Sequence, residues 1–257
     1  MGRNATTPAG RVLAGARTVF LDAGNTLVAI DWRLFAAELA AFGPAVAPAH
    51  LARAEARARP VLSRWVVGRS TEARDTFAVY VQMILERLAA PALGAREAVE
   101  LALELAPRLK RPGEADLLWN VPLPGVRGAL LALRERGIER VVVSNSDGSV
   151  ERSLVRAGLR DLVDHVVDSH VVGHEKPDPA IFEHALVLSG AERARTVHVG
   201  DMYAADVCGA RSAGLSAVLL DPHGDWGPLD CPTAADLESL VRAAWPAAPE
   251  PGTQPRQ

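Results

Sequence analysis

Four short apolar runs constrain the fold more than any other feature of the chain: VVVS at 141–144, HVVD at 165–168, TVHV at 196–199 and SAVLL at 216–220. Stretches with helical character at about 150–157, 178–189 and 204–213 separate them. Apolar strands alternating with helices predict a parallel sheet covered on both faces, an α/β architecture. A fifth run, TVFLD at 18–22, meets Gly24 and Asn25 and reads as a buried strand ending in a turn. In sheets of this kind ligands bind beyond the carboxyl ends of the strands. Functional residues are therefore expected just after the runs.

A long interval interrupts the alternation. From Asp31 to about Arg111 there is no convincing strand, and residues 31–120 read as a helical insert. Asp31 is placed to N-cap a helix that Gly43 and Pro44 stop, and Thr71 to cap another. In that second helix Phe77, Tyr80, Val81, Ile84, Leu85 and Leu88 recur at helical spacing, an apolar stripe for the insert's own core. Ala95 to Leu109 makes a third helix, and Val126 to Arg136 begins the alternating part, with Gly137 at its C-terminus. The division that follows is a disordered tail at 1–16, a sheet domain at 17–30 and 121–245, the insert at 31–120, and a Pro-rich disordered tail at 246–257.

Composition sets outer limits. With 257 residues, 49% hydrophobic and 23% charged, the chain suits one large domain plus an insert. A net charge of -3 gives no reason to expect nucleic acid. Two cysteines, Cys208 and Cys231, make neither a disulfide framework nor a zinc site, so a reducing, cytoplasmic setting is expected. No apolar stretch suggests export or a membrane span. A monomer or homodimer fits equally. The basic residues are almost all arginine, and the only lysines are Lys110 and Lys176.

Four polar clusters fall at strand ends: Asp22 with Gly24, Asn25 and Thr26; Ser144 with Asn145 and Ser146; Glu175 with Lys176 and Pro177; and Gly200 with Asp201, followed by Asp206. Carboxylates crowded at one sheet edge repel unless a cation sits between them. Oxygen ligands without His or Cys point to Mg²⁺. A hydroxyl from Ser144, the Lys176 ammonium and turn amides suit the oxygens of a phosphoryl group, and Asn145 joins them as a substrate-binding candidate. Such a site positions a phosphoryl group in line with a carboxylate nucleophile. Blander readings stand beside these: Ser144–Asn145 as the cap of the next helix, Lys176 as a surface lysine, Asp206 as a solvated helix carboxylate.

The motifs FLDAGNTL, VVVSNS, GHEKPDPAIF and VHVGDMYAADVCGARSAG, in that order over about Val19 to Leu220, resemble the haloacid dehalogenase superfamily. The resemblance implies a Rossmann-like core with a helical cap inserted after the first motif. It implies a Mg²⁺-dependent phosphohydrolase acting on a small phosphorylated metabolite through an aspartyl-phosphate at Asp22. Asp22, Asp201 and the Gly24 carbonyl would ligate the metal, Asp206 would support it or orient Lys176, and Ser144 and Lys176 would hold the phosphoryl oxygens.

The chain departs from the pattern at one position. Phosphatases of the family usually carry an aspartate two residues after the nucleophile, as acid and then base, where this chain has Gly24. Such a group is worth roughly 10²–10⁴ in rate. His174, Asp31 and Glu38 are substitutes by residue type, and Arg53, Arg57, Arg59, Arg64, Arg69 and Arg74 are cap cations for an anionic substrate. The alternatives are a binding or regulatory protein that has lost turnover, a dehalogenase, or a phosphonatase. The last needs a cap lysine, and Lys110 lies at the far end of the insert.

Overall fold

The computed structural model describes residues 7–72, 74–89 and 93–246. Its centre is a six-stranded parallel sheet with the order β5-β4-β1-β6-β7-β8. The strands are β1 (Thr18–Leu21), β4 (Glu139–Ser144), β5 (His165–Asp168), β6 (Thr196–Gly200), β7 (Ser216–Leu220) and β8 (Thr233–Ala234). β2 (Val28–Ile30) and β3 (Trp119–Pro122) form a separate antiparallel pair. β1 lies between β4 and β6, with Leu21 opposite both Val142 and Val199. The chain leaves β1, returns at β4, steps outward to β5 and crosses back to β6, so strand order reverses around β1. That reversal opens the crevice beyond its carboxyl end.

Helices cover both faces. α1 (Pro8–Ala14), α6 (Val126–Glu135), α7 (Val150–Arg156) and α11 (Leu237–Ala244) share one buried cluster with Val19, Leu21, Val142 and Val199. α9 (Pro179–Ser189) and α10 (Gly209–Ser212) cover the other face, where Phe20, Val141 and Val143 meet Ile181 and Phe182. The short α8 (Ser169–Val172) follows β5.

Residues 7–16 correct the expectation of a loose tail. Thr7 caps α1 by accepting the Gly10 amide, Pro8 occupies the first turn, and Ala9, Gly10 and Leu13 are buried. A Cβ on Gly10 would lie 2.5 Å from the Ala243 carbonyl oxygen, so the contact with α11 depends on a residue without one. Small residues in close approach hold this helix, a signal without the long apolar stripe that marks larger helices. The remaining tail expectations, at 1–6 and 247–257, lie outside the described residues.

The insert consists of α2 (Trp32–Ala40), α3 (Pro48–Trp65), α4 (Arg74–Leu85) and α5 (Ala95–Leu109). Its own apolar cluster holds Phe35, Leu39, Leu51, Phe77, Val81, Ile84 and Leu105, among others. Asp31 caps α2 by accepting the Arg33 and Leu34 amides. Thr71 does not cap α4, which starts at Arg74; its hydroxyl and amide instead donate to Glu175 across the gap to the sheet domain. The β2–β3 pair brackets the insert, so chain leaves and re-enters at one point. Among the described residues no helix is long and apolar enough to cross a membrane.

Candidate active site

The ends of β1, β4 and β6 deliver Asp22, Ser144 and Asp201 to one cavity. Each follows from register: Asp22 is the first residue past β1 and its amide donates to the Val199 carbonyl, 2.9 Å away on β6. Asp22, Asp201 and Asp206 offer oxygens within 4.8 Å of one another, and all three are buried.

Lys176 enters from the loop between α8 and α9. Its Nζ donates to Asp22 Oδ1 at 2.6 Å and to Asp206 Oδ1 at 2.6 Å. Asn145 holds that loop: its Oδ1 accepts the Lys176 amide, and its Nδ2 donates to the Lys176 carbonyl and to Thr71 Oγ1. Asn145 lines the cavity, but its amide is committed to holding Lys176. Ser144 Oγ makes only a 3.3 Å contact with the Asn145 carbonyl. Neither Ser144 nor Asn145 caps α7, whose N-cap is Ser149.

Asp206 sits in a single π-helical turn, Tyr203–Cys208, a distortion found often at functional sites. It folds back beneath its own loop: Oδ2 accepts the Met202 amide, while Oδ1 takes Lys176 and lies 2.9 Å from His198 Nε2. The fold-back is possible because residue 200 is glycine; a Cβ there would lie 2.2 Å from Asp206 Cγ. Both Asp206 oxygens are thus engaged, and its geometry serves Lys176. Burial opposes its charge, but Lys176 and the His198 hydrogen bond overcome that and hold its carboxyl below the ordinary value.

The cap contributes a cluster of which only Arg59 stood out as a candidate from residue type alone. Glu55, Arg59 and Ser63 lie four residues apart on one face of α3 and point at the loop after β1 and the segment after β6. Asn25 Nδ2 donates to Glu55 Oε1 at 3.0 Å, Arg59 Nε lies 3.5 Å from Asp201 Oδ2, and Ser63 Oγ accepts the Ala204 amide at 2.9 Å. Glu55 also takes a bidentate pair from Arg59 at 2.7 Å and the Tyr80 hydroxyl at 2.6 Å. Burial, then the Glu55 charge, raises the Tyr80 phenol well above its ordinary pKa. Of the other cap arginines, Arg53 pairs with Asp225, Arg57 and Arg64 are exposed, and Arg69 stacks on Trp65. The side chain of Arg74 lies outside the described residues.

Lys110 corrects an inference drawn from distance along the chain. The insert doubles back, and Lys110 lines the same cavity as Asp22, with its Nζ donating to Glu72 Oε2 at 2.7 Å. The three substitutes for an acid at position 24 are occupied elsewhere. Asp31 caps α2, Glu38 faces Arg108, and exposed His174 pairs with Asp178.

Position 24 itself is covered. A Cβ on Gly24 would lie 3.2 Å from Trp119 Cζ3, so the indole of β3 lies against the face where a side chain would project. The segment leading to Trp119 is pinned by Asp116, which accepts Arg156 Nε at 2.7 Å and Arg152 Nη2 at 3.0 Å.

The electrostatics call for a cation. Burial, and then the Asp206 charge working against Lys176, pushes Asp22 up to about 6. Burial, opposed by Arg59 but reinforced by Asp22 and Asp206, raises Asp201 well above its ordinary value. With all of them ionised, four buried carboxylates (Asp22, Asp201, Asp206, Glu55) face two buried cations (Lys176, Arg59), an excess of two negative charges that protonation or a bound cation offsets. An oxygen-only donor set with that excess fits a hard divalent ion.

A family model described as haloacid dehalogenase-like hydrolase matches residues 16–214. Haloacid dehalogenase-like hydrolase domain-containing protein 3 of Bos taurus is 39% identical over 127 residues, 49% of this chain and 50% of that protein. The ribulose-1,5-bisphosphate 5-phosphatase of Halopiger xanaduensis is 33% identical, over 56% of this chain and 63% of its own. The glyceraldehyde 3-phosphate phosphatase of Methanothermobacter thermautotrophicus is 38% identical, over 46% and 57%. The matches therefore span about half to two thirds of these curated relatives. Among solved structures, a haloacid dehalogenase-type hydrolase of Bacillus subtilis shares the fold with a TM-score of 0.58 at 16% identity, covering 89% of this chain and 98% of its own.

Proposed function

We propose that this chain, which belongs to the haloacid dehalogenase-like hydrolase family, is a Mg²⁺-dependent phosphatase that acts on a small phosphorylated metabolite through an aspartyl-phosphate at Asp22. The observation that carries the reading is the placement of Asp22 past β1, with Lys176 Nζ 2.6 Å from one oxygen and Asp201 and Asp206 within 4.8 Å. The phosphatase names of two curated relatives support the reaction type.

Asp22, Asp201 and the Gly24 carbonyl would hold Mg²⁺, as the unbalanced carboxylates favour. When bound, the ion supplies charge neutralisation to the transferring phosphoryl group. The chain's own residues do the rest. Asp22 attacks phosphorus. Lys176 and the Ser144 hydroxyl hold the equatorial oxygens. Asp206 and Asn145 fix Lys176 from its two ends, the ammonium and the backbone. Arg59, brought by the cap, adds a second positive charge beside Asp201.

The test is phosphate release from a panel of acyl, aryl and sugar phosphates, with Mg²⁺ and with a chelator. Release that depends on Mg²⁺ and vanishes in Asp22→Asn is the expected result. A panel that gives no release from wild type overturns the reading.

A second reading has one observation behind it. Lys110 in the cavity meets the need of a phosphonatase for a cap lysine that forms a Schiff base. Its Nζ is held 2.7 Å from Glu72 Oε2, which ties the amine to the cap rather than aiming it at Asp22. Borohydride trapping with phosphonoacetaldehyde separates the two: a covalent adduct at Lys110 would replace the phosphatase reading.

A further inference from the structure

We infer that the site is selective for phosphates whose leaving group departs as a stable anion, namely acyl, enol and aryl phosphates and phosphoanhydrides, over alkyl phosphate esters. This rests on the phosphatase reading and narrows it. The observation is an inventory of protons around Asp22.

Transfer to a carboxylate forms a bond from Asp22 to phosphorus and breaks the bond from phosphorus to the leaving oxygen, which takes the electron pair. An alkoxide departs readily only if a proton meets it. Among the described residues, no imidazole lines the cavity, and beside Asp22 its carboxyl groups are Asp201, assigned above to Mg²⁺, Asp206, engaged by Lys176 and the Met202 amide, and Glu72. Position 24 has no side chain, and Trp119 covers it at 3.2 Å from a Cβ placed there. Glu72 is ion-paired with Lys110. Glu55, behind the wall, accepts from Arg59, Asn25 and Tyr80 and is therefore a filled acceptor rather than a donor. The Tyr80 proton is directed at Glu55. His198 lies fully buried beneath Asp206 and does not line the cavity.

What remains is cationic: Lys176, Arg59 and Lys110. Ammonium groups hold their proton about six pKa units more tightly than carboxylic acids, and guanidinium groups more tightly still. They stabilise negative charge on a leaving oxygen but protonate it poorly. The same inventory bears on the second half of the reaction. Water must add to phosphorus while the bond to Asp22 breaks, its electron pair restoring the carboxylate and both water protons leaving with dihydrogen phosphate. No free carboxylate near position 24 removes a proton from that water, so the aspartyl-phosphate is expected to accumulate. The class excludes the sugar-phosphate esters in the names of two curated relatives, which makes it easy to break.

The experiment uses the full chain with Mg²⁺ and compares kcat/KM for acetyl phosphate, p-nitrophenyl phosphate, phenyl phosphate and glycerol phosphate. The expected result is a steep fall with leaving-group basicity, roughly 10³-fold or more between p-nitrophenyl and glycerol phosphate. Glycerol phosphate within about tenfold of p-nitrophenyl phosphate would overturn the inference while leaving the phosphatase reading intact. A second measurement does not depend on steady-state rates. Chain quenched during turnover of labelled acetyl phosphate should carry hydroxylamine-sensitive label approaching one per molecule. Label at a small fraction of that, with brisk release, means a general base is present and counts against the inference. No label and no release from any compound removes the phosphatase reading itself.

Discussion

The two walls of the cavity are built on different rules. The core wall presents Asp22, Ser144 and Asp201 from the ends of three adjacent parallel strands, where sheet register alone fixes their spacing. The cap wall presents Glu55, Arg59 and Ser63 from one helix, where a repeat of four residues does the same. A strand end offers one residue to the site before the chain turns away. A helix face offers a row, and that row touches the loops after β1 and β6 and the π-helical turn together. On the reading proposed above, the core wall carries the chemistry, while the cap wall bears on whether the loop after β1 and the segment after β6 are in place.

If that division is right, substitutions on the two walls should differ in kind. The largest effect is expected for Asp22→Asn, a loss of turnover on the order of 10⁴-fold or more with the fold retained, read by phosphate release and circular dichroism. Lys176→Met should damage both properties, because it leaves Asp22 and Asp206 buried without their shared cation. Denaturant unfolding without Mg²⁺ should show a loss of about 3–5 kcal/mol, and a variant as stable as wild type would remove Lys176 from the centre of the buried charge network.

Mg²⁺ should raise the stability of the wild type by about 2.7 kcal/mol at a hundredfold excess over its dissociation constant, and Asp201→Asn should abolish the increment. A thermal shift that persists in Asp201→Asn would place the ion elsewhere. On the cap wall, Arg59→Met should lower kcat/KM by roughly 10- to 100-fold by leaving Glu55 unpaired, with unfolding of the sheet domain little changed. The smallest effect is expected for Thr71→Val, about 1 kcal/mol, from the lost hydrogen bonds to Glu175 and Asn145. If this variant matched Arg59→Met in kcat/KM, contacts at the cap's edge would matter as much as those at its centre.

The same contrast explains what could be read from the sequence. The strands at 165–168 and 216–220 and the helix Ala95–Leu109 fall where periodicity puts them, because each is an uninterrupted pattern bounded by turn residues. Asp22, Asp201 and Asp206 could be picked out because they interrupt or follow apolar runs, where a charge stands out, and Lys176 because the chain has only two lysines. Glu55 could not. In α3 it sits among alanines and arginines, and only tertiary packing turns that polar row inward. α1 escaped notice for a related reason, its contact depending on Gly10 and Ala9 rather than on bulk. Trp119 gave a weak signal, an aromatic residue shortly before the sheet resumes. Nothing local said that it would lie across Gly24. Lys110 shows the opposite error, since residues far apart in the chain meet where an insert closes on itself.

The packing of Trp119 on Gly24 also bears on how such a site can change by substitution. An aspartate at position 24 brings a Cβ to within 3.2 Å of the indole unless Trp119 gives way. A smaller residue at 119, introduced alone, opens a hole beside the nucleophile loop without adding an acid. Whether the indole can shift by a few tenths of an ångström decides the sign of the single change, and the pair introduces a proton donor with more room to stand. Gain of a general acid here is thus tied to residue 119, and the two positions should show non-additivity in a double-mutant cycle.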